Sequence, residues 1–198
     1  PLYTREDAVR CLKSFETVPW HDSFAPVPGL SASFSHAGHI PGASVVRLAN
    51  GRRSIAFSGD LGRPDDLLLR APEPRPASDY LVCESTYGDR LHPREDPLDQ
   101  LAEVINRTSA RAGTLVIPAF AVGRAQLLMH GISVLKKQKR IHHLPVYLNS
   151  PMAADALRVF HKHPRELRLD AAALDDLCNA AEIVRTPDES RELNARKG

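Results

Sequence analysis

Residues 43–63 read ASVVRLANGRRSIAFSGDLGR, and this stretch decides the architecture of the first half of the chain. Two strand-like runs, ASVVRLA and RRSIAFS, flank Asn50-Gly51. Asn-Gly between alternating runs is the strongest short hairpin signal, because both central positions of the tight turn need positive φ and these two residues tolerate it. A hairpin is therefore expected over Ala43–Ser58, running out into SGDLGR. Just upstream, LSASFS alternates Leu30, Ala32 and Phe34, as a strand with one buried face does. The opening TREDAVRCLKSF reads as a short amphipathic helix. Thr4 caps it, Asp7 reaches back to the cap, and Val9, Leu12 and Phe15 recur at helical spacing. A proline-rich loop is expected from Val18 to Gly29.

Downstream, APEPRPAS (71–78) reads as a linker and DYLVCES as a short buried strand. After Arg90 the pattern changes. Asp96 caps a helix with Pro97 at its first position and Gly113 as its stop. TLVIP (114–118) reads as a buried strand, 122–138 as a helix and PVYLN as another buried strand. Ser150-Pro151 opens a further helix that should end near Pro164. Strands alternating with helices predict βαβ units and a parallel sheet. The expected fold is α/β: a mostly antiparallel, hairpin-bearing unit over 1–90 and a parallel α/β unit over 91–198.

Composition sets the outer bounds. Apolar residues make up 42% of the 198 and charged residues 25%, ordinary globular usage that excludes a disordered tail, a fibre and a coiled coil. No run approaches the ~20 apolar residues needed to span a bilayer, so no membrane partner is expected. The net charge of +2 does not advertise a polyanion partner by bulk charge. KKQKR (136–140) is the one dense basic patch, read first as a solvated helix end and second as a nucleic-acid contact. Cys11, Cys83 and Cys178 are odd in number and widely spaced. They suggest no disulfide framework and fit a reducing, cytoplasmic compartment, most simply as small buried hydrophobes.

The residues that can carry chemistry cluster near the hairpin. In SHAGHIPGAS, His36 and His39 follow a strand among small residues. In SGDLGR, Asp60 follows a second strand. The hairpin between them brings His39 and Asp60 to the same end of one sheet. An imidazole and a carboxylate suit zinc or another first-row metal, although turn-capping loop residues explain the same pair. In PAFAVGRAQ, Arg124 and Gln126 lie in the first turn of a helix, where anions bind readily. Arg124 then offers a phosphate contact or an interdomain salt bridge. Ser150 is a helix N-cap first and a phosphate contact second. Trp20, Tyr80 and Tyr87 could stack on bases, but packing explains them more simply.

Five segments, SHAGHIPGAS, FSGDLGR, LVCESTYGDR, LVIPAFAVGRAQ and VYLNSPMA, follow one another across about 30–155. In this order they resemble the signatures of the β-CASP branch of the metallo-β-lactamase fold. That branch includes RNase J and the endonuclease subunit of the pre-mRNA cleavage and polyadenylation factor, and the chain is most similar to bacterial single-chain members. The resemblance implies the last part of an αββα sandwich followed by a partial β-CASP domain. It implies that His39 ligates one zinc ion, Asp60 bridges two, and Glu84 is an acidic residue that orients a histidine. It places Arg124 and Ser150 near an RNA backbone. His36 matches no ligand.

The departures matter as much. The family's HxHxDH motif is not among these residues. In HKHPRE, His161 and His163 have the spacing, but Arg165 and Glu166 stand where Asp and His are required, so these read as surface residues at a helix end. Asn149 stands where an aspartate is frequent. The chain, beginning at Pro1, is therefore expected to be an interior piece that lacks hydrolase activity by itself. The implied parent is a two-zinc hydrolase of nucleic acid, RNA before DNA. A non-catalytic RNA-binding scaffold and a small-molecule metallo-hydrolase are the alternatives, and a homo-oligomer is left open.

Overall fold

The structure, a computed structural model, describes residues 2–74, 76–91 and 95–196. Helix α1 (Arg5–Leu12) has both bonds of the Thr4–Asp7 capping box. Its apolar stripe stays exposed, however, with Val9, Leu12 and Phe15 all on the surface. Strands β1 (Phe24–Val27), β2 (Leu30–His36), β3 (Ser44–Ala49), β4 (Ser54–Phe57) and β5 (Tyr80–Val82) form one sheet in that order. Strands β1 to β4 pair antiparallel, and β5 joins β4 in parallel. Strand β1 occupies part of the expected proline-rich loop. Pro26 argues against a central strand, but an edge strand tolerates it.

The hairpin forms with Ala49 opposite Ser54. Its turn is shifted one residue from expectation. Gly51 alone takes positive φ, at 82°, which suits a turn with glycine first of its two central residues. Asn50 closes the turn instead, its side-chain oxygen accepting from the Arg52 and Arg53 N–H groups at 3.1 and 2.9 Å. At the parallel edge, Asp79 accepts from the Ser54 N–H and hydroxyl at 2.7 and 2.8 Å. These bonds hold the Asp79 carboxyl below its usual range, the Ser54 hydroxyl contributing most. Strand β5 was expected to be buried. It is an edge strand exposed along its length, and Cys83 beside it is exposed, as is Cys11. The linker-like stretch contains Arg75, which lies outside the described residues.

The second half contains α2 (Pro97–Ser109), α3 (Arg124–Lys137), β6 (Tyr147–Leu148), α4 (Pro151–Lys162), a 3-10 turn (Pro164–Glu166), α5 (Ala171–Cys178), β7 (Glu182–Ile183) and α6 (Pro187–Ala195). Asp96 caps α2, with Pro97 in its first turn. The left-handed residue after it is Ala112, φ 51°, not Gly113. Strands β6 and β7 pair in parallel around α4 and α5, a βαβ unit of the expected kind but closed by a strand, β7, that the sequence does not mark. TLVIP forms no strand. Val116 and Ile117 are exposed, and apolar composition alone does not make a strand where no neighbour supplies backbone partners.

Helix α3 sits between two apolar clusters. On one side Ile132 and Leu135 meet Ala102 and Ile105 of α2 and Ile141. On the other, Ala125 and Met129 join Leu157 and Phe160 of α4, Leu174 and Leu177 of α5, and Leu68, Leu69 and Leu167. Phe160, Leu68, Leu135 and Leu177 are wholly buried. Each such side chain contributes about 2–5 kcal/mol by the cost of truncation to alanine. Leu68 and Leu69 come from the loop that follows Asp60. They are fastened there by an antiparallel bridge between Leu69 and Leu167 and by the Arg168 N–H donating to Leu68 O at 3.0 Å.

Candidate metal centre

The site is built from two loops at one end of the sheet. The β2–β3 loop carries His39, and the segment after β4 carries Asp60. Glycine lets them touch. The Gly62 N–H donates to Ala37 O at 2.7 Å. A Cβ built on Gly62 would overlap the Gly38 carbonyl and come within 2.8 Å of His39 N, and Gly38 itself takes φ 69°. Only residues without a side chain allow backbones to approach so closely. The loops are therefore locked together, and His39 and Asp60 both stand exposed on them. Neither side chain makes a hydrogen bond with a described residue.

Glu84 braces the second loop from beneath. One carboxylate oxygen accepts from the Leu61 N–H at 2.6 Å and the other from the Thr86 hydroxyl at 2.8 Å. Its own N–H donates to Ser58 Oγ at 3.1 Å. The Leu61 amide first, the Thr86 hydroxyl next and the nearby His39 together outweigh burial and hold its carboxyl below the ordinary range. Glu84 is thus a fixed anion within electrostatic reach of His39, with both oxygens engaged. A free imidazole, a free carboxylate with two oxygens and a braced anion near the imidazole fit the donor chemistry of a first-row metal as a partial set. Among the described residues no group of three or more His, Cys, Asp or Glu is gathered as a complete set of ligands.

The AVGR loop abuts these loops. A Cβ built on Gly123 would lie 3.4 Å from Ile40 Cγ2 and 4.0 Å from His39 O. Arg124, the next residue, is exposed at the start of α3 with no side-chain partner among the described residues. Gln126 is wholly buried. Its amide oxygen accepts from the Gly123 N–H at 2.8 Å, and its amide nitrogen donates to Ala121 O and Ala153 O, each at 3.0 Å. That side chain fixes the loop presenting Arg124 against the start of α4. Ser150 caps α4, its hydroxyl accepting from the Ala153 N–H at 3.2 Å. Asn149 donates to Ser190 Oγ at 3.0 Å, a role in which a neutral amide serves.

Other candidates resolve into packing. Lys136 donates to Leu144 O at 2.8 Å, Lys137 pairs with Asp176 and Arg140 with Asp99, so KKQKR is largely spent within the chain. Trp20 stacks on His36 with ring centroids 3.8 Å apart. Tyr80 bonds to Arg53. Of HKHPRE, His161 and His163 are surface residues as expected, but Glu166 is not. It turns inward with its side chain 17% exposed and meets His36 and Trp20. No local signal marks it, because its partners lie more than a hundred residues away.

The comparisons with known proteins point to the same class as the motifs, the β-CASP branch of the metallo-β-lactamase fold. Residues 125–198 match the Beta-Casp domain. The chain is 34% identical over 164 residues to ribonuclease TTHA0252 of Thermus thermophilus, across 82% of this chain and 36% of that protein. It is 29% identical over 200 residues to cleavage and polyadenylation specificity factor 73 of Drosophila melanogaster, across 100% and 28%. It is 37% identical over 175 residues to transcription termination factor FttA of Pyrococcus horikoshii, across 84% and 26%. The chain thus spans about a third or less of the length of these relatives.

Proposed function

We propose that this chain supplies part of the active site of a metal-dependent hydrolase that cleaves phosphodiester bonds in RNA. The observation that carries the reading is the Gly38–Gly62 contact, which sets an exposed imidazole and an exposed carboxylate on abutting loops. His39, through its imidazole, and Asp60, through its carboxylate, would help hold the zinc. When bound in such a site, zinc lowers the pKa of a coordinated water to about 7 and stabilises negative charge on a reacting phosphate. The residues of the chain do the rest. Glu84 keeps the Asp60 loop in place through the Leu61 amide and presents a fixed negative charge towards His39. Arg124 stands exposed at the start of α3, next to the Gly123 that abuts His39, and a guanidinium there suits a backbone phosphate. Ser150, already engaged as a cap, offers a hydroxyl to the same strand. Relatives named as ribonucleases and endoribonucleases support RNA as the substrate.

The test is Asp60→Ala in the intact protein, with zinc content and RNA cleavage measured on the same sample. Loss of both is expected. A variant that keeps its full zinc content would remove Asp60 from the metal set. RNA binding with no cleavage by the unsubstituted protein would mark a scaffold instead.

A further inference from the structure

A cleft of about 820 Å³ separates the sheet from the end of α4, and Trp20, His36, Glu73 and Glu166 line it. It lies beside the loop that carries His39, with His36 at that loop's start among its lining residues. Glu166 projects into it from the 3-10 turn and reaches three groups of the first half of the chain. Its Oε1 accepts from Trp20 Nε1 at 3.2 Å. Its Oε2 accepts from the Gly42 N–H at 3.4 Å and lies 3.4 Å from His36 Nδ1. His36 and Gly42 are the two ends of the loop that carries His39. One carboxylate from the second half therefore grips both ends of the loop that holds the candidate ligand.

We propose that Glu166 is a positioning residue, acting through His36 and Gly42 to hold the His39 loop in its ligand-presenting conformation. This rests on the reading of His39 as a ligand, but the grip itself is a property of the chain. Its supports are independent. The Glu166 backbone is pinned, its carbonyl accepting from the Arg70 N–H at 3.3 Å, and the adjoining Leu167 is in the core. The carboxylate is therefore aimed rather than free to swing. His36 is held from its other side as well, its N–H donating to Glu73 Oε2 at 3.3 Å and its carbonyl accepting from the Glu73 N–H at 3.0 Å. With Trp20 stacked on its ring, His36 is fixed against the Glu166 carboxylate. A ligand that must be placed closely needs this kind of supporting shell.

The experiment uses Glu166→Ala and Glu166→Gln in this chain, with Arg165→Ala as control, because Arg165 lines the same cleft without touching the loop. Amide hydrogen exchange is followed at Gly42 and, for comparison, at Leu135 in α3. Emission is read from Trp20, the one tryptophan of the chain. Glu166→Ala should speed Gly42 exchange about tenfold, the scale of one lost hydrogen bond to a charged group. It should shift Trp20 emission and leave Leu135 exchange alone. Glu166→Gln, which keeps one carbonyl oxygen, should fall between. Unchanged Gly42 exchange in Glu166→Ala, or equal acceleration at Gly42 and Leu135, overturns the proposal, the second outcome being general destabilisation. His39→Ala examined for zinc binding separates the two ideas. If the intact protein carrying His39→Ala keeps the full zinc content of the unsubstituted intact protein, the ligand reading fails while the exchange result at Gly42 still decides the role of Glu166.

Discussion

Gly62 sits directly against the Gly38 carbonyl, and no heavier residue fits at that point. The contact ties the two loops of the candidate metal centre together at their backbones. Gly62→Ala should therefore cost about 3 kcal/mol or more, as overpacking against backbone that cannot yield does. Urea unfolding measures it. A loss below about 0.5 kcal/mol, the scale of an ordinary surface change, would show that the loops have room to separate.

Gln126 makes three hydrogen bonds while wholly buried. Gln126→Leu preserves volume and strands the Gly123 N–H and the Ala121 carbonyl. An orphaned buried group costs about 1–3 kcal/mol. The variant should lower the denaturation midpoint and loosen the loop presenting Arg124, seen as faster amide exchange at Gly123. An unchanged midpoint would mean that water replaces the amide.

His130 lies buried on α3 with its Nδ1 atom unpartnered. Burial, as the largest effect, lowers its pKa below the ordinary 6.5, and Lys137 adds to this while Asp66 and Asp176 oppose it. The folded state thus resists a proton that the unfolded chain accepts. The associated stability is complete above about pH 6.5 and is lost as pH falls below it, by at most about 1.4 kcal/mol per pH unit. Unfolding titrations at pH 7.5 and 5.5 should show a smaller pH dependence for His130→Leu than for the native chain. Equal slopes would assign the acid sensitivity elsewhere. Asp79 and Glu84, both with lowered pKa values, lose their contributions only at more acid pH.

Ala112 takes a left-handed conformation just after α2. A Cβ there costs about 1–2 kcal/mol, while glycine loses more chain entropy on folding, about 0.5–1 kcal/mol. Ala112→Gly should therefore raise stability by about 0.5–1 kcal/mol, read from the urea midpoint. A decrease would mean that the methyl group packs usefully.

The readable parts of the fold were those with local causes. The Asn50-Gly51 hairpin, the Thr4–Asp7 capping box, the Asp96-Pro97 and Ser150-Pro151 helix starts, and the shared sheet end of His39 and Asp60 all follow from short-range patterns. Strand β1, with Pro26 inside it, and strand β7, two residues long, lack such patterns. TLVIP shows the reverse failure. Its composition suits a strand, yet a strand exists only where another supplies its hydrogen bonds. Within the site, His39, Asp60 and Glu84 could be named from motifs. Gln126 had a local trace, three residues after Gly123 in the capping-box position. Glu166 had none, because its contacts join segments 124 to 146 residues apart.

The bridge between Leu69 and Leu167 has a consequence for the order in which the molecule is made. Leu68 and Leu69 complete a helical core whose other members lie between residues 125 and 177. During synthesis, the segment just after Asp60 must therefore wait for nearly a hundred further residues before its apolar partners exist. Closing so long a loop is a late and entropically costly event. We predict that the hairpin matures first and the Asp60 segment last, so that the candidate metal centre is withheld until the helical unit is finished. Pulsed hydrogen exchange during refolding would show it: protection at Val46 and Ala56 should precede protection at Leu69, and simultaneous protection would count against a late-closing site.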